Sequence, residues 1–190
     1  MSPPPVTTSL FVTIIFDPDT EAALRSIQLK TRASVPSSSD LPNHRPHVTV
    51  AAYDASSIAA VKQSLEDACS AQLQFAIPIR SLGVFLESGT VFGQPVPTPT
   101  LLGLHTHITR SIPEPQRFAH HLGVGNWIPH ATIVSGLDEG ELLNALRVVC
   151  RAFEPISATA IGVGILDLTS GTMVDDEFQD SFQIMFGPSA

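Results

Sequence analysis

The chain contains Pro46-His47-Val48-Thr49-Val50 and, later, Pro129-His130-Ala131-Thr132-Ile133, two stretches that nearly duplicate each other. Each stretch places a histidine and a threonine two residues apart, directly after a proline and among β-favouring residues. In a β-strand, residues two apart point to the same face and lie about 6.5 Å from each other. Two such strands brought together would therefore place two imidazoles and two hydroxyls around one small pocket.

The same spacing also occurs at His107-Ile108-Thr109, which needs a different interpretation. It lies within Leu101–Arg110, a predicted helix, where side chains two residues apart point roughly 200° away from each other. The two strand motifs share a preceding proline and a final β-branched residue, which this third copy lacks. The alternative for the pair is two exposed strand histidines next to threonines that serve β propensity alone.

Length, charge and cysteine content limit the class of protein. With 190 residues, 43% of them hydrophobic, the chain is long enough for one domain with a sizeable core. The net charge of −8 and the lack of a basic run disfavour a long nucleic acid, so a phosphate ligand is expected to be a nucleotide or a short RNA end. We expect a cytoplasmic protein without membrane spans, since there is no apolar run of about 20 residues, no signal peptide pattern and no disulfide framework.

The predicted elements follow one another in similar order in the two halves, after a loose tail over residues 1–8. The first half is predicted to contain strand Ser9–Phe16, a turn and N-cap at Asp17-Pro18-Asp19, helix Thr20–Arg32, a loop over 35–46, motif strand His47–Tyr53, helix Ile58–Ser70, and strands Leu73–Leu82, Val84–Leu86 and Thr90–Phe92. The second half is predicted to contain helix Pro99–Ile112, motif strand Trp127–Val134, helix Glu139–Phe153, and strands Ile156–Leu168 and Phe178–Phe186, the last two separated by an acidic turn at 175–177. This order predicts a duplicated, two-lobed α+β domain.

The paired motif resembles the 2H phosphoesterase superfamily, the 2′-5′ RNA ligase-like and cyclic phosphodiesterase proteins, whose mark is an H-x-[TS]-x motif in each of two lobes. Both motifs are complete here, as His47-Val48-Thr49-Val50 and His130-Ala131-Thr132-Ile133, and residues 83–92 are similar to the family's middle strands. The likeness covers roughly residues 9–187. It implies a single bilobed domain over that range, with antiparallel sheets around a central cleft and helices on the outside.

The four motif side chains can perform acid–base chemistry on a phosphate. Because the pKa of histidine is ordinarily near 6.5, one ring can be neutral while the other is protonated. One imidazole of His47 and His130 would take a proton from water, and the other would donate one to a leaving alkoxide. Thr49 and Thr132 would hydrogen-bond the phosphate oxygens. This chemistry requires no metal and no cofactor, and the sequence does not decide which histidine is the base.

The resemblance implies a hydrolase that opens 2′,3′-cyclic nucleotides, RNA 2′,3′-cyclic ends or ADP-ribose 1″,2″-cyclic phosphate, in RNA processing or nucleotide metabolism. We expect a monomer. Two alternatives remain: a non-catalytic nucleotide-binding module on the same fold, and an RNA 2′-5′ ligase. The intact motifs count against the first. The acidic composition and the lack of a nucleotide-activating lysine motif count against the second.

Some residues outside the motifs are candidates for the site. The candidate substrate contacts are Phe92, Trp127, Tyr53 and Ser135. The rings of Trp127 and Tyr53 could stack on a base, with core packing as the alternative for each. Arg45 and Arg110 could offset substrate charge, with solvation as the alternative.

The remaining histidines and the cysteines have simpler interpretations. His105, His107, His120 and His121 do not show the i, i+4 spacing of a helical zinc site, so we expect no metal centre. Cys69 and Cys150 fall late in amphipathic helices and are predicted to pack in the core.

Overall fold

The computed structural model describes residues 8–35, 45–55, 58–167, 173–174, 177–178 and 182–189. The helices in these ranges are α1 Pro18–Ser34, α2 Ile58–Cys69, α3 Pro99–Ser111, α4 Ala119–Leu122 and α5 Glu139–Ala152. The strands in the same ranges are β1 Thr8–Phe16, β2 His47–Ala55, β3 Phe75–Ala76, β4 Ile79–Phe85, β5 Thr90–Pro95, β6 Ala131–Val134, β7 Thr159–Asp167, β8 Met173–Val174, β9 Glu177–Phe178 and β10 Phe182–Met185.

The strands form two main antiparallel sheets. The larger sheet has the order β10-β7-β1-β2, with β3 also paired to β7. The smaller sheet has the order β4-β5-β6, and β8 pairs with β9 separately. The two motif-bearing strands, β2 and β6, are therefore end strands, one in each sheet.

Helices cover the sheets in two groups, and each group closes its own core. α1 packs with α5 beside β6, whereas α2 packs with α3, which also contacts β2. The larger cluster of buried side chains includes Leu10, Val48 and Leu101, and the smaller includes Ile133 and Val149. The expectation of a two-lobed α+β fold with antiparallel sheets and outer helices is confirmed.

Local sequence signals explain where the long helices begin. The Asp17 side chain accepts the Thr20 backbone N–H (3.0 Å) at the start of α1, and Pro18 occupies the first turn, where its missing N–H costs nothing. The same carboxylate accepts the Thr159 N–H (2.8 Å) and so fastens α1 to β7. At α5, Asp138 and Glu141 form a capping box.

The predicted strand Leu73–Leu82 is wrong, because the chain changes sheets within it. β3 pairs with β7 in the larger sheet, and β4 pairs with β5 in the smaller one. Ile77-Pro78 lies between them, and a proline has no N–H for a strand ladder. This crossing is one of the connections between the two lobes.

The second motif strand and the C-terminal strand are shorter than predicted. Of Trp127–Val134 only β6 is strand, and a short helix, α4, precedes it. Instead of one strand over Phe178–Phe186, Phe178 ends β9 and a separate strand, β10, follows. Residues 1–7 of the predicted tail (1–8), most of the 35–46 loop, residues 56–57 and the acidic pair 175–176 lie outside the described residues, whereas Thr8 begins β1.

The two cysteines differ from each other. Cys69 is buried as predicted, and burial raises the pKa of its thiol to about 11. Cys150 is exposed, so its predicted core position is wrong. Among the described ranges, no helix combines the length and apolar character that a membrane crossing requires.

Candidate active site

The two histidine–threonine motifs lie on end strands that approach each other, with Cα atoms of β2 and β6 within 8 Å. In both motifs burial alternates in the same way. The residues between and after the motif pair are buried, namely Val48, Val50, Ala131 and Ile133. The motif side chains are partly exposed, namely His47, Thr49, His130 and Thr132. Each histidine therefore shares a face with its threonine.

A β-bulge follows the threonine in both motif strands. In β2, Thr49 pairs with Thr13 and Ala51 with Val12, which leaves Val50 unpaired. In β6, Thr132 pairs with Phe92 and Val134 with Val91, which leaves Ile133 unpaired. A bulge adds local twist and redirects the side chains before it, and bulges are frequent beside active sites.

The two imidazoles are held by equivalent hydrogen bonds. His47 Nδ1 lies 2.9 Å from the carbonyl oxygen of Arg45, and His130 Nδ1 lies 2.7 Å from that of Ile128. Because a carbonyl oxygen only accepts, both Nδ1 atoms carry a proton and donate it. Nε2 is then the nitrogen that gains or loses a proton in each ring.

The backbone carbonyls of the two threonines are held by side-chain donors from the other half of the chain. Trp127 Nε1 donates to the Thr49 carbonyl (3.0 Å), and Gln28 Nε2 donates to the Thr132 carbonyl (2.9 Å). End strands have unpaired carbonyls, and buried polar groups require partners. Gln28 is 2% exposed and was missed from sequence; its only signal is an amide within the apolar face of α1.

Trp127 is a support beneath the first motif rather than a platform for a base. It is buried, and its ring stacks on His105 at 4.2 Å between centroids and 6° between planes. His105 is itself buried, its Nε2 lies 2.8 Å from the Leu122 carbonyl, and burial lowers its pKa. A neutral His105 thus braces the indole that holds Thr49.

His130 lies against two phenylalanine rings. Phe85 meets it edge-on at 4.9 Å between centroids, and Phe92 is tilted at 5.4 Å. Burial lowers the pKa of His130 by more than the hydrogen bond to Ile128 raises it. Phe92 is buried and contacts His130 and Phe85. Phe85 also lines a cavity, and Phe92 is not among the described lining residues.

A cavity of about 690 Å³ opens beside the motifs. Thr49 and His130 line it together with the rings of Phe11, Phe85 and Phe118. Its volume is in the range of small-molecule sites. His47 and Thr132 are not among the described residues that line it, although each shares a strand face with a motif partner that does.

Tyr53 lies in the core, which matches the alternative of core packing rather than stacking on a base. It lies six residues after His47, a spacing that would return it to the same face of a regular strand. The unpaired Val50 reverses the alternation, and Tyr53 is 0% exposed. Its hydroxyl has no hydrogen-bond partner among the described residues.

The other candidates outside the motifs also lie away from the described cavity lining. Ser135 follows β6 and is half-buried. The Arg45 guanidinium is paired with Glu21. Arg110 is exposed near the end of α3. None of the three lines the cavity within the part of the chain that is described.

His121, which was considered only as a metal ligand, does line the cavity, and its ring lies 4.0 Å from that of His120. Among the described residues, His, Cys, Asp and Glu side chains form no group of three that could hold a metal ion.

Comparisons with known proteins agree with this architecture. A family model described as the 2′-5′ RNA ligase superfamily matches residues 16–172. A phosphoesterase crystal structure is similar at TM-score 0.58 and 16% identity, covering 95% of this chain and 99% of that one. E. coli LigT complexed with 3′-AMP gives TM-score 0.57 and 16% identity, covering 95% and 99%. LigT complexed with NADP+ gives 0.57 and 15%, covering 95% and 98%. No curated protein matches.

Proposed function

Because this chain belongs to the 2′-5′ RNA ligase superfamily, we propose that it is a metal-independent cyclic phosphodiesterase acting on a nucleotide or RNA end. The observation that carries the proposal is the pair of equivalent motifs on neighbouring end strands. Both histidines donate from Nδ1 to the carbonyl two residues earlier, and Thr49 and His130 open onto one cavity. We place the enzyme in the cytoplasm, in RNA processing or nucleotide metabolism.

In the proposed reaction His130 is the general base. Burial lowers its pKa, so its Nε2 is unprotonated near neutral pH and takes a proton from the attacking water. The water oxygen bonds to phosphorus, and the bond to one ribose oxygen breaks. Protonated His47 donates its Nε2 proton to that oxygen, which leaves a phosphate monoester and a ribose hydroxyl.

The threonine hydroxyls are assigned to the non-bridging phosphate oxygens. A hydroxyl of Thr49 or Thr132 can donate one hydrogen bond to an oxygen whose charge increases in the transition state. The hydrogen bonds from Trp127 and Gln28 to the threonine carbonyls would hold these two threonines in position for that contact.

The direct test is turnover of adenosine 2′,3′-cyclic phosphate at pH 7 in EDTA, with products resolved by phosphorus NMR. We expect steady-state formation of a single monoester, and its 2′ or 3′ position gives the regiochemistry. Stoichiometric binding without turnover would instead identify a nucleotide-binding module. Activity only after metal addition would contradict the metal-independent mechanism.

RNA joining is the second candidate, because the matching family model is described by 2′-5′ RNA ligation. Joining is the same ring opening with the 5′-hydroxyl of a second RNA in place of water. That oxygen bonds to phosphorus, the bond to the ribose 3′-oxygen breaks and this oxygen takes up a proton, and a 2′-5′ phosphodiester is left. Incubating an RNA with a cyclic phosphate end and a second RNA with a 5′-hydroxyl would test it. We expect hydrolysis to exceed joining, since water is the more abundant nucleophile.

A further inference from the structure

The cavity is lined without any lysine or arginine. All ten lysines and arginines of the chain fall within the described ranges, and the segments outside them contain none. None of the ten is among the described residues lining the cavity. Apart from histidines, of which His121 and His130 line the cavity, the described lining therefore offers no basic side chain to neutralise additional phosphate.

The arginine that precedes the lining residue Phe118 is paired with other groups. Arg117 stacks over the ring of Phe118, with 5.0 Å from its guanidinium carbon to the ring centroid. Its Nη1 donates to Asp54 (3.0 Å) and Ser9 (2.6 Å). Phe118 lines the cavity, whereas Arg117 is not among the described residues that do.

The charge that does line the cavity is negative. Among the described lining residues, Glu87 is the single carboxylate, in the turn between β4 and β5. Its neighbours in the lining are largely apolar, including Phe85, Leu86 and Ile128. An anionic group of the ligand near this wall would be repelled, and such repulsion is strengthened by a partly dry, apolar site.

We propose that this cavity selects nucleoside 2′,3′-cyclic phosphates in which the cyclic phosphate is the only phosphate, and that Glu87 is the residue that discriminates against a second one. This inference rests on the proposed function. The histidine–threonine motifs serve the cyclic phosphate, and the uncharged nucleoside occupies the apolar remainder between Phe11, Phe85 and Phe118. ADP-ribose 1″,2″-cyclic phosphate and RNA ends carry further phosphates, so both are poorer substrates.

A matched substrate pair isolates this effect. Adenosine 2′,3′-cyclic phosphate and its 5′-phosphorylated form differ by one phosphate, and the readout is the ratio of their kcat/KM values at low ionic strength. We expect the ratio to favour the compound without the 5′-phosphate by about tenfold or more, the size of one like-charge repulsion in an intermediate dielectric. Raising the salt concentration to about 0.5 M should reduce the ratio, because screening weakens the repulsion.

Variants at two glutamates test the assignment to Glu87. Glu87→Gln removes the cavity charge and should lower the ratio at least threefold. Glu66→Gln changes the net charge equally but at an exposed position on α2, outside the described cavity lining, and should leave the ratio unchanged. In Glu87→Gln, the kcat/KM for ADP-ribose 1″,2″-cyclic phosphate should also rise relative to that for adenosine 2′,3′-cyclic phosphate.

The possible failures are distinguishable. If the enzyme opens no cyclic phosphate, the proposed function itself is wrong. If it opens both members of the pair with equal efficiency at low salt, or prefers the 5′-phosphorylated one, only the present inference is overturned. A ratio that responds equally to Glu66→Gln and Glu87→Gln would also overturn it, since overall charge rather than the cavity wall would then be responsible.

Discussion

The first and second motif strands use the same backbone geometry but place their histidines in different surroundings. Both strands have a bulge one residue after the threonine, and both imidazoles donate to the carbonyl two residues earlier. His47 is the first residue of β2, whereas His130 precedes β6 and packs against Phe85 and Phe92. The duplicated fold thus repeats the orientation of the ring, while the side chains around it set its protonation.

The supports beneath the two motifs differ in the same way. An indole stacked on His105 holds the Thr49 carbonyl, and an amide from α1 holds the Thr132 carbonyl. Two different side chains thus donate the equivalent hydrogen bond to a motif threonine carbonyl. Equivalence between the halves is therefore a property of the backbone, and the difference between them is a property of local packing.

Removing either histidine should have the largest effect. We expect His47→Ala and His130→Ala each to lower kcat/KM for adenosine 2′,3′-cyclic phosphate by about 10³-fold, because proton transfer contributes about 10²–10⁴. His107→Ala is the matched control, since His107 belongs to the third histidine–threonine pair and is exposed on α3. Near-normal turnover in either motif variant would contradict the prediction that both histidines transfer protons.

The second-largest effect is expected on stability, when the side-chain donors to the threonine carbonyls are removed. Trp127→Phe keeps a ring for His105 to stack on but leaves the Thr49 carbonyl without its donor, and Gln28→Leu does the same to the Thr132 carbonyl. Each should lower the free energy of unfolding by about 1–3 kcal/mol, measured by urea denaturation. A loss confined to one variant would show that only one motif depends on such support.

Removing one threonine hydroxyl at a time compares the two phosphate contacts. Thr49→Val and Thr132→Val keep the side-chain shape, and each loses one hydrogen bond worth about 1 kcal/mol, or about fivefold in kcat/KM. Thr→Ser at the same position should restore most of the activity. No loss in either valine variant would remove the threonines from the proposed mechanism.

The pH dependence tests the difference between the histidines. A base must be unprotonated, so kcat/KM should fall as the pH drops below the pKa of His130. Because burial lowers that pKa, the midpoint of this acidic limb should lie below about 6.5. Phe85→Ala admits water to the ring and should move the midpoint upward.

Phe118→Ala is the control for this shift. It also removes a ring from the cavity, but its described ring contacts are with Phe11 and Arg117 rather than with His130. If both variants move the midpoint equally, or neither does, then His130 is not the base and the roles are reversed.

The smallest effect is expected at Tyr53. Tyr53→Phe removes a buried hydroxyl that has no partner in the part of the chain that is described. Stability should therefore stay constant or rise by up to about 1 kcal/mol, with unchanged turnover. A clear loss of activity would show that the Tyr53 hydroxyl acts in the site and would contradict its interpretation as a core residue.

Local structure could be predicted from the sequence wherever a short motif determines the backbone geometry. The helix start at Asp17-Pro18-Asp19, the helix over the His107 pair and the shared faces of His47 with Thr49 and His130 with Thr132 all follow from rules that span a few residues. The fold class also followed, because the order of elements and the family resemblance pointed to the same duplicated architecture.

What was missed depends on contacts between distant segments. Tyr53 was misplaced because a bulge at Val50 cannot be recognised from residue types. Trp127 and Gln28 act on carbonyls 78 and 104 residues away, so nothing local marks them as supports. The break at Ile77-Pro78 was overlooked because the apolar run on both sides reads as one strand, although it joins two sheets.

The two donors to the threonine carbonyls also occupy hydrogen-bonding positions on the motif strands. An end strand with open carbonyls is a template on which another strand can add, and β2 and β6 lie close enough to be candidates for joining each other. With an indole on one edge and an amide on the other, those positions are already taken. Strand addition through those two carbonyls would therefore first have to displace a side-chain donor.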